Sequence, residues 1–155
     1  MKNSASGLES KRQQVAALLY DGVLNAQDWY AGLDAMRDAL GAGFFNFFTL
    51  GSGGAGVLDS VDNLGQVGAL ADKLRDYQEH LIDSDIRMQV LMGMPLGEVM
   101  CDHERISACD MARHPVYADF LRPAGFQYTV GALVRDDNGV RDFFGLIRPS
   151  DHKQY

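Results

Sequence analysis

The sequence predicts an α+β domain, an antiparallel sheet with helices packed on one of its faces. Three observations predict it. Aromatic-rich apolar runs at 44–50 and 126–148 have the length and residue types of strands. Segments with helical spacing precede and separate them. The last two strand runs are joined by Asn138-Gly139, the strongest short signal for a hairpin turn. With 155 residues and a hydrophobic fraction of 46%, the chain can build one domain with its own core. Residues 8–155 read as that single domain and residues 1–7 as a disordered tail.

Val15, Leu18, Leu19 and Gly22 form one stripe of a first helix; Trp29, Leu33, Met36 and Leu40 form one stripe of a second. Asn25 suits the N-cap of the second helix, with Asp28 well placed in its first turn, and Gly-Ala-Gly at 41–43 ends it. The run 44–50, "FFNFFTL", is apolar on both faces and therefore interior. Glycine-rich 51–56 turns the chain into a weaker, more exposed strand at 57–61. Val67, Leu70, Ala71, Leu74, Tyr77 and Leu81 then follow the helical period, with charges largely elsewhere on the wheel. A shorter helix at 84–95 is capped by Ser84 and stopped by Gly93 to Pro95. No period dominates 97–110. A further helix begins at 114–121 with Pro115 in its first turn.

Alternation in the closing hairpin puts Phe126, Tyr128, Val130, Ala132 and Val134 on one face with Phe143, Gly145 and Ile147. Gln127, Thr129, Gly131, Leu133, Arg135, Asp142, Phe144, Leu146 and Arg148 take the other. The first face is the apolar one, but Ala132 and Gly145 leave its middle thin, and helices must cover it. That is the plan of PAS- and GAF-like sensors.

The net charge is −7 and the basic residues are scattered, so this chain by itself is not expected to bind DNA. No apolar run reaches membrane-spanning length, and the start has no apolar stretch behind its charges, so neither a membrane span nor a signal peptide is expected. Cys101 and Cys109 suit a reducing compartment, and the chain reads as cytoplasmic. Nucleotide, dinucleotide, zinc-protease and nucleophile-elbow motifs are absent, and glycine-rich 51–56 lacks the Lys-Ser/Thr ending of a phosphate loop. The reading is a non-enzyme without a cofactor. Cys101, His103, Cys109 and His114 match a zinc set in number but not in spacing, so no metal is expected.

Tyr77 lies on the buried stripe of its helix with a hydroxyl that needs a partner. Asp85 reads either as a helix-start residue or as an acceptor for a ligand's N–H or hydroxyl. Phe45, Phe47, Met88, Met92, Tyr128 and Phe143 read either as plain core or as the wall of an apolar pocket. A pocket would lie between the helices and the thin face. Its candidate residues are Tyr77, Asp85, Met88 and Met92 from the helices, Phe45 and Phe47 from the first strand, and Tyr128, Val130, Ala132, Phe143 and Gly145 from the hairpin.

The stretches "YQEHLIDSDIRMQV", "GEVMCDHERIS", "VYADFLRPAGFQYTVGALV" and "FFGLIRPS" carry a family resemblance. Over about residues 12–149 the chain resembles the N-terminal, PAS-like sensory domain of LuxR-type helix-turn-helix transcription regulators. In that family a tyrosine-bearing helix leads to an Asp-Pro-Arg step, then to a Tyr-x-x-Phe-Leu-x-Pro-x-Gly helix, and then to the final strands. Asp85, Ile86 and Arg87 match the first motif, with isoleucine where the family often has proline; Tyr117, Phe120, Leu121, Pro123 and Gly125 match the second. Acyl-homoserine-lactone sensors of the wider group set a tryptophan beside their tyrosines, and the single tryptophan here, Trp29, is far upstream. The resemblance implies a small-molecule ligand anchored by Tyr77 and Asp85. It also implies homodimerisation, to which the first two helices would contribute, and DNA recognition by a separate helix-turn-helix domain that would follow the last strand and that this chain lacks.

Overall fold

A computed structural model describes residues 2–52, 56–66, 73–74 and 77–154. The chain divides into two compact units, Met1–Ala42 and Gly43–Tyr155, where the sequence suggests one domain. The first unit is a helical hairpin, α1 (Lys2–Gly22) and α2 (Ala26–Ala39). Helix α1 starts at Lys2, inside the stretch read as a disordered tail. Asn25 caps α2, its side chain accepting from the Gln27 N–H at 2.9 Å. Gly41, at φ 65°, ends the helix in the left-handed conformation that glycine adopts freely. Side-chain-free positions let the two helices approach: a Cβ on Gly22 would lie 2.5 Å from the Trp29 Cα, and one on Gly32 2.8 Å from Leu19 Cδ2.

The second unit is a five-stranded antiparallel sheet in the order β2-β1-β5-β4-β3. Its strands are β1 (Phe44–Leu50), β2 (Val57–Asp62), β3 (Val99–Cys101), β4 (Phe126–Asp137) and β5 (Val140–Pro149). Asn138 and Gly139, at φ 50° and 80°, make the hairpin turn as two left-handed residues. Between β2 and β3 the predicted helix over 67–81 is seen only at 73–74 and in a π-helical turn, Tyr77–Leu81; Val67, Leu70 and Ala71 lie outside the described residues. Helix α3 (Ile86–Met92) follows. Its cap is Asp85, not Ser84, because the Asp85 carboxylate accepts the Arg87 N–H at 2.8 Å while the Ser84 hydroxyl turns back to the Leu81 carbonyl. The aperiodic stretch 97–110 resolves into β3, α4 (Asp102–Arg105) and the start of α5 (Ala108–Arg113). A π-helical segment, Val116–Leu121, and a tight turn ending at Gly125 (φ 82°) lead into β4.

The two faces of the sheet are not those that simple alternation predicts. Near the turn Arg135 faces Asp142, but one residue further Leu133 faces Phe143, leaving Val134 as a bulge. That extra residue shifts the register by one and exchanges the partners of β4. Thr129, Gly131 and Leu133 therefore share a face with Ile147, Gly145 and Phe143, and through β5 with Phe44, Asn46 and Phe48. Tyr128, Val130 and Ala132 lie on the opposite face with Arg148, Leu146 and Phe144, and with Phe45 and Phe47. The first of these faces is the one that the helices cover.

Two apolar clusters form on it. One joins Phe44, Phe126 and Ile147 to Leu74, Tyr77, Tyr117 and Phe120; the other joins Phe48, Leu133 and Phe143 to Met88, Leu91 and Met100. Between the strand rows beneath them runs the row Asn46, Gly145, Gly131. It carries two glycines and one amide, so neither cluster extends across it.

Candidate functional site

A cavity of about 60 Å³ lies over that middle row. Leu74, Tyr77, Met88, Leu91 and Phe120 line it from the helical side; Phe44, Phe48, Phe143 and Ile147 flank it on the sheet. Gly131 is already crowded, since a Cβ there would meet the Phe144 carbonyl at 3.2 Å and Leu91 Cδ1 at 3.3 Å. Gly145 is not: a Cβ there would meet nothing nearer than 4.0 Å. The open floor is thus at Gly145, beside the side chain of Asn46.

One corner of the cavity is ionic. Arg87 embraces the carboxylate of Asp85 with Nε at 3.1 Å from both oxygens and Nη2 at 2.7 Å from Oδ2. The Tyr77 hydroxyl donates to the same Oδ2 at 2.7 Å, and Arg87 Nη1 donates to the Thr129 hydroxyl at 3.0 Å. The guanidinium also lies 6.0 Å from the Tyr77 ring centre and 5.8 Å from that of Tyr117, within reach of both π faces. Burial alone would raise the Asp85 pKa, but the Arg87 charge and the hydrogen bonds from Arg87 and Tyr77 hold it below the usual carboxylate value. Burial and the neighbouring Asp85 carboxylate push the Tyr77 phenol up, so it stays protonated and donates.

A second buried carboxylate supports this corner. Asp102 accepts from the Thr129 N–H at 2.8 Å, from the Tyr117 hydroxyl at 3.0 Å and from the His103 N–H at 2.8 Å. Burial raises its pKa, against the pull of those bonds and of Arg87. Five side chains, Tyr77, Asp85, Arg87, Thr129 and Tyr117, are thereby joined to Asp102 in one network running from the helices to β4.

Of the residues that the sequence nominates, Tyr77, Asp85, Met88, Phe143 and Gly145 line the cavity. Phe45, Phe47, Tyr128, Val130 and Ala132 do not, because the bulge at Val134 and the parity of β1 put them on the opposite face. Met92, 46% exposed, lies on a separate cleft with Leu50, Ile82 and Arg141. Asp85 turns out to hold both of its readings at once, as the cap of α3 and as an acceptor, but for groups of this chain. Cys101, His103, Cys109 and His114 do not converge; among the described residues no three His, Cys, Asp or Glu side chains come together as a metal requires. Sequence reasoning missed Asn46, Arg87 and Thr129. Asn46 did leave a signal, as the one amide in the aromatic-rich strand 44–50. The Asp85-x-Arg87 spacing left another, since a carboxylate at the N-cap lies beside the second residue of the helix.

No family model and no curated protein matches the chain. Among solved structures it is similar to an N-acylhomoserine lactone dependent LuxR family transcription factor, CepR2 from Burkholderia cenocepacia. The match spans 94% of this chain and 82% of that one, with a TM-score of 0.65 and 14% identity. At that identity the likeness is one of fold. An α+β chain with a five-stranded antiparallel sheet and helices on one face is compatible with a PAS/GAF-like fold.

Proposed function

We propose that this chain is the ligand-sensing domain of a LuxR-type transcription regulator, binding a small, largely apolar molecule between the helices and the sheet. It is not an enzyme on this reading, and it controls a separate helix-turn-helix domain through dimerisation. The observation that carries the proposal is the cavity over Gly145, left open where a filled core would place a side chain. Apolar side chains that line unfilled space forgo packing contacts, at a cost in stability. A ligand offsets that cost.

The dimensions restrict the ligand. A volume of about 60 Å³ equals roughly four to six water-sized volumes, whereas pockets for drug-sized ligands run to about 300–1,000 Å³. An acyl-homoserine lactone, on which the Burkholderia protein depends, therefore enters only if lining side chains move. Met88, unbranched and adaptable, is the side chain placed to do so. Dimerisation through the first unit is supported by the exposed apolar side chains of Leu8, Tyr20, Val23 and Leu24. No described helix is long and apolar enough to cross a membrane.

The decisive experiment is a thermal-shift screen of small apolar molecules against wild type and Gly145→Leu. Ligands that stabilise wild type and leave Gly145→Leu unmoved support the proposal. Equal stabilisation of both proteins places the ligand outside this cavity, and no stabilisation by any compound leaves a structural module without a ligand. Deletion of residues 1–24 is expected to give a monomer by sedimentation, and a truncated protein that stays dimeric would remove α1 from the interface.

A further inference from the structure

We infer that the cavity selects a neutral, apolar molecule carrying one hydrogen-bond donor, and that Asn46 rather than Asp85 receives it. The inference rests on the sensing role proposed above and names the chemistry of its ligand. The anchor suggested by the sequence is already occupied. Asp85 accepts from the Tyr77 hydroxyl and from the backbone N–H, Nε and Nη2 of Arg87. A carboxylate offers about four lone-pair sites, and these donors fill them. The Arg87 charge is consumed by the same pairing, so among the described residues the cavity lining offers no free ionic partner that would compensate the desolvation of a charged ligand.

Asn46 is the opposite case. Its Oδ1 is buried and has no hydrogen-bond partner among the described residues. His103 Nδ1 shares that status but does not line the cavity. Asn46 stands on the helix-covered face, directly across from Gly145, where the floor is open. An acceptor next to unfilled apolar space calls for a ligand that brings an O–H or N–H to it, with a hydrocarbon body against Phe48, Phe143 and Leu91.

The test uses cyclopentanol, cyclopentanone and methylcyclopentane, which are similar in shape; the first brings an O–H donor as well as an acceptor, the second an acceptor only and the third neither. Binding to the whole chain is followed by ligand-observed NMR for wild type, Asn46→Leu and Gly145→Leu. We expect the alcohol to bind wild type about tenfold more tightly than the other two, the three to converge in Asn46→Leu, and Gly145→Leu to bind none. A second readout needs no ligand: Asn46→Leu removes an unpaired buried acceptor and is expected to raise the thermal midpoint by about 2–4 °C. If the Leu variant does not fold, Asn46→Ala serves for the binding comparison. Equal binding of the three probes to wild type, with all lost in Gly145→Leu, overturns the role of Asn46 and leaves the cavity reading standing. Binding of none to wild type, or undiminished binding to Gly145→Leu, overturns the cavity reading and this inference with it. A lower midpoint for a folded Asn46→Leu also overturns the inference.

Discussion

The Asp85–Arg87 corner and the Asn46–Gly145 floor border the same cavity, yet polar groups are treated oppositely in the two. In the corner, two opposite charges, the Tyr77 phenol and a threonine hydroxyl are buried together and linked by hydrogen bonds of 2.7–3.1 Å. At the floor, one amide oxygen is buried without a partner among the described residues, and a glycine leaves space beside it. Burying ions is costly unless each is paired, so the corner can exist only as a complete set. The floor carries a cost that folding leaves uncompensated. The difference teaches that the corner holds the helices to β4, while the floor is where an outside molecule can still add free energy.

The largest test of this contrast is to break the corner. Asp85→Ala strands the Arg87 guanidinium in the core and is expected to cost about 3–5 kcal/mol in urea denaturation. The double substitution Asp85→Leu with Arg87→Met should recover most of that loss, because an apolar pair of similar volume removes both desolvation costs. If the single substitution is nearly silent, the corner is not the structural half of the comparison.

A smaller effect belongs to the supporting carboxylate. Tyr117→Phe removes one of three donors to Asp102 and is expected to cost about 1–3 kcal/mol. The cavity should keep its ligand response in that variant, since the hydroxyl does not line it.

Acidity separates the two carboxylates. An unfolded aspartate titrates near about 3.9. The Asp85 pKa is lowered in the fold, so its stabilisation is present above about pH 4 and lost as pH falls below it. The Asp102 pKa is raised, so its contribution has the opposite sign, present at low pH and lost as pH rises above about 4 through its folded value. The Asp85→Leu, Arg87→Met protein should therefore keep less of the acid sensitivity below about pH 4. Asp102→Asn should remove the decline above it. Denaturant midpoints across pH check both.

The smallest expected effect sharpens the assignment of faces. Ala132→Phe adds a ring on the face opposite the cavity and should leave ligand-induced stabilisation unchanged, whereas Gly145→Leu abolishes it. Loss of the response in Ala132→Phe would mean that the faces are exchanged.

Much of the architecture was legible because its signals are local. Asn25 caps a helix by its own side chain, Gly41 and Gly139 take left-handed conformations that other residues resist, and the seven residues 44–50 could only be a strand. Tyr77, Asp85 and Met88 were found near the cavity because helical spacing and cap chemistry place them on a known side of short segments. The faces of the hairpin escaped the same reasoning. Alternation is reliable until one residue is inserted, and nothing in the residue types around Val134 announces the bulge that moved Ala132 away from the helices and brought Gly131 and Thr129 beneath them. Composition and spacing by themselves determined a mixed fold with an aromatic sheet and a capped helical hairpin. Tertiary structure decided that Arg87 would close on Asp85 and that the Asn46 Oδ1 would be buried with no partner among the described residues. Whether a buried polar group finds a partner depends on what faces it across the core, and that is set by register and packing, not by its neighbours in the chain.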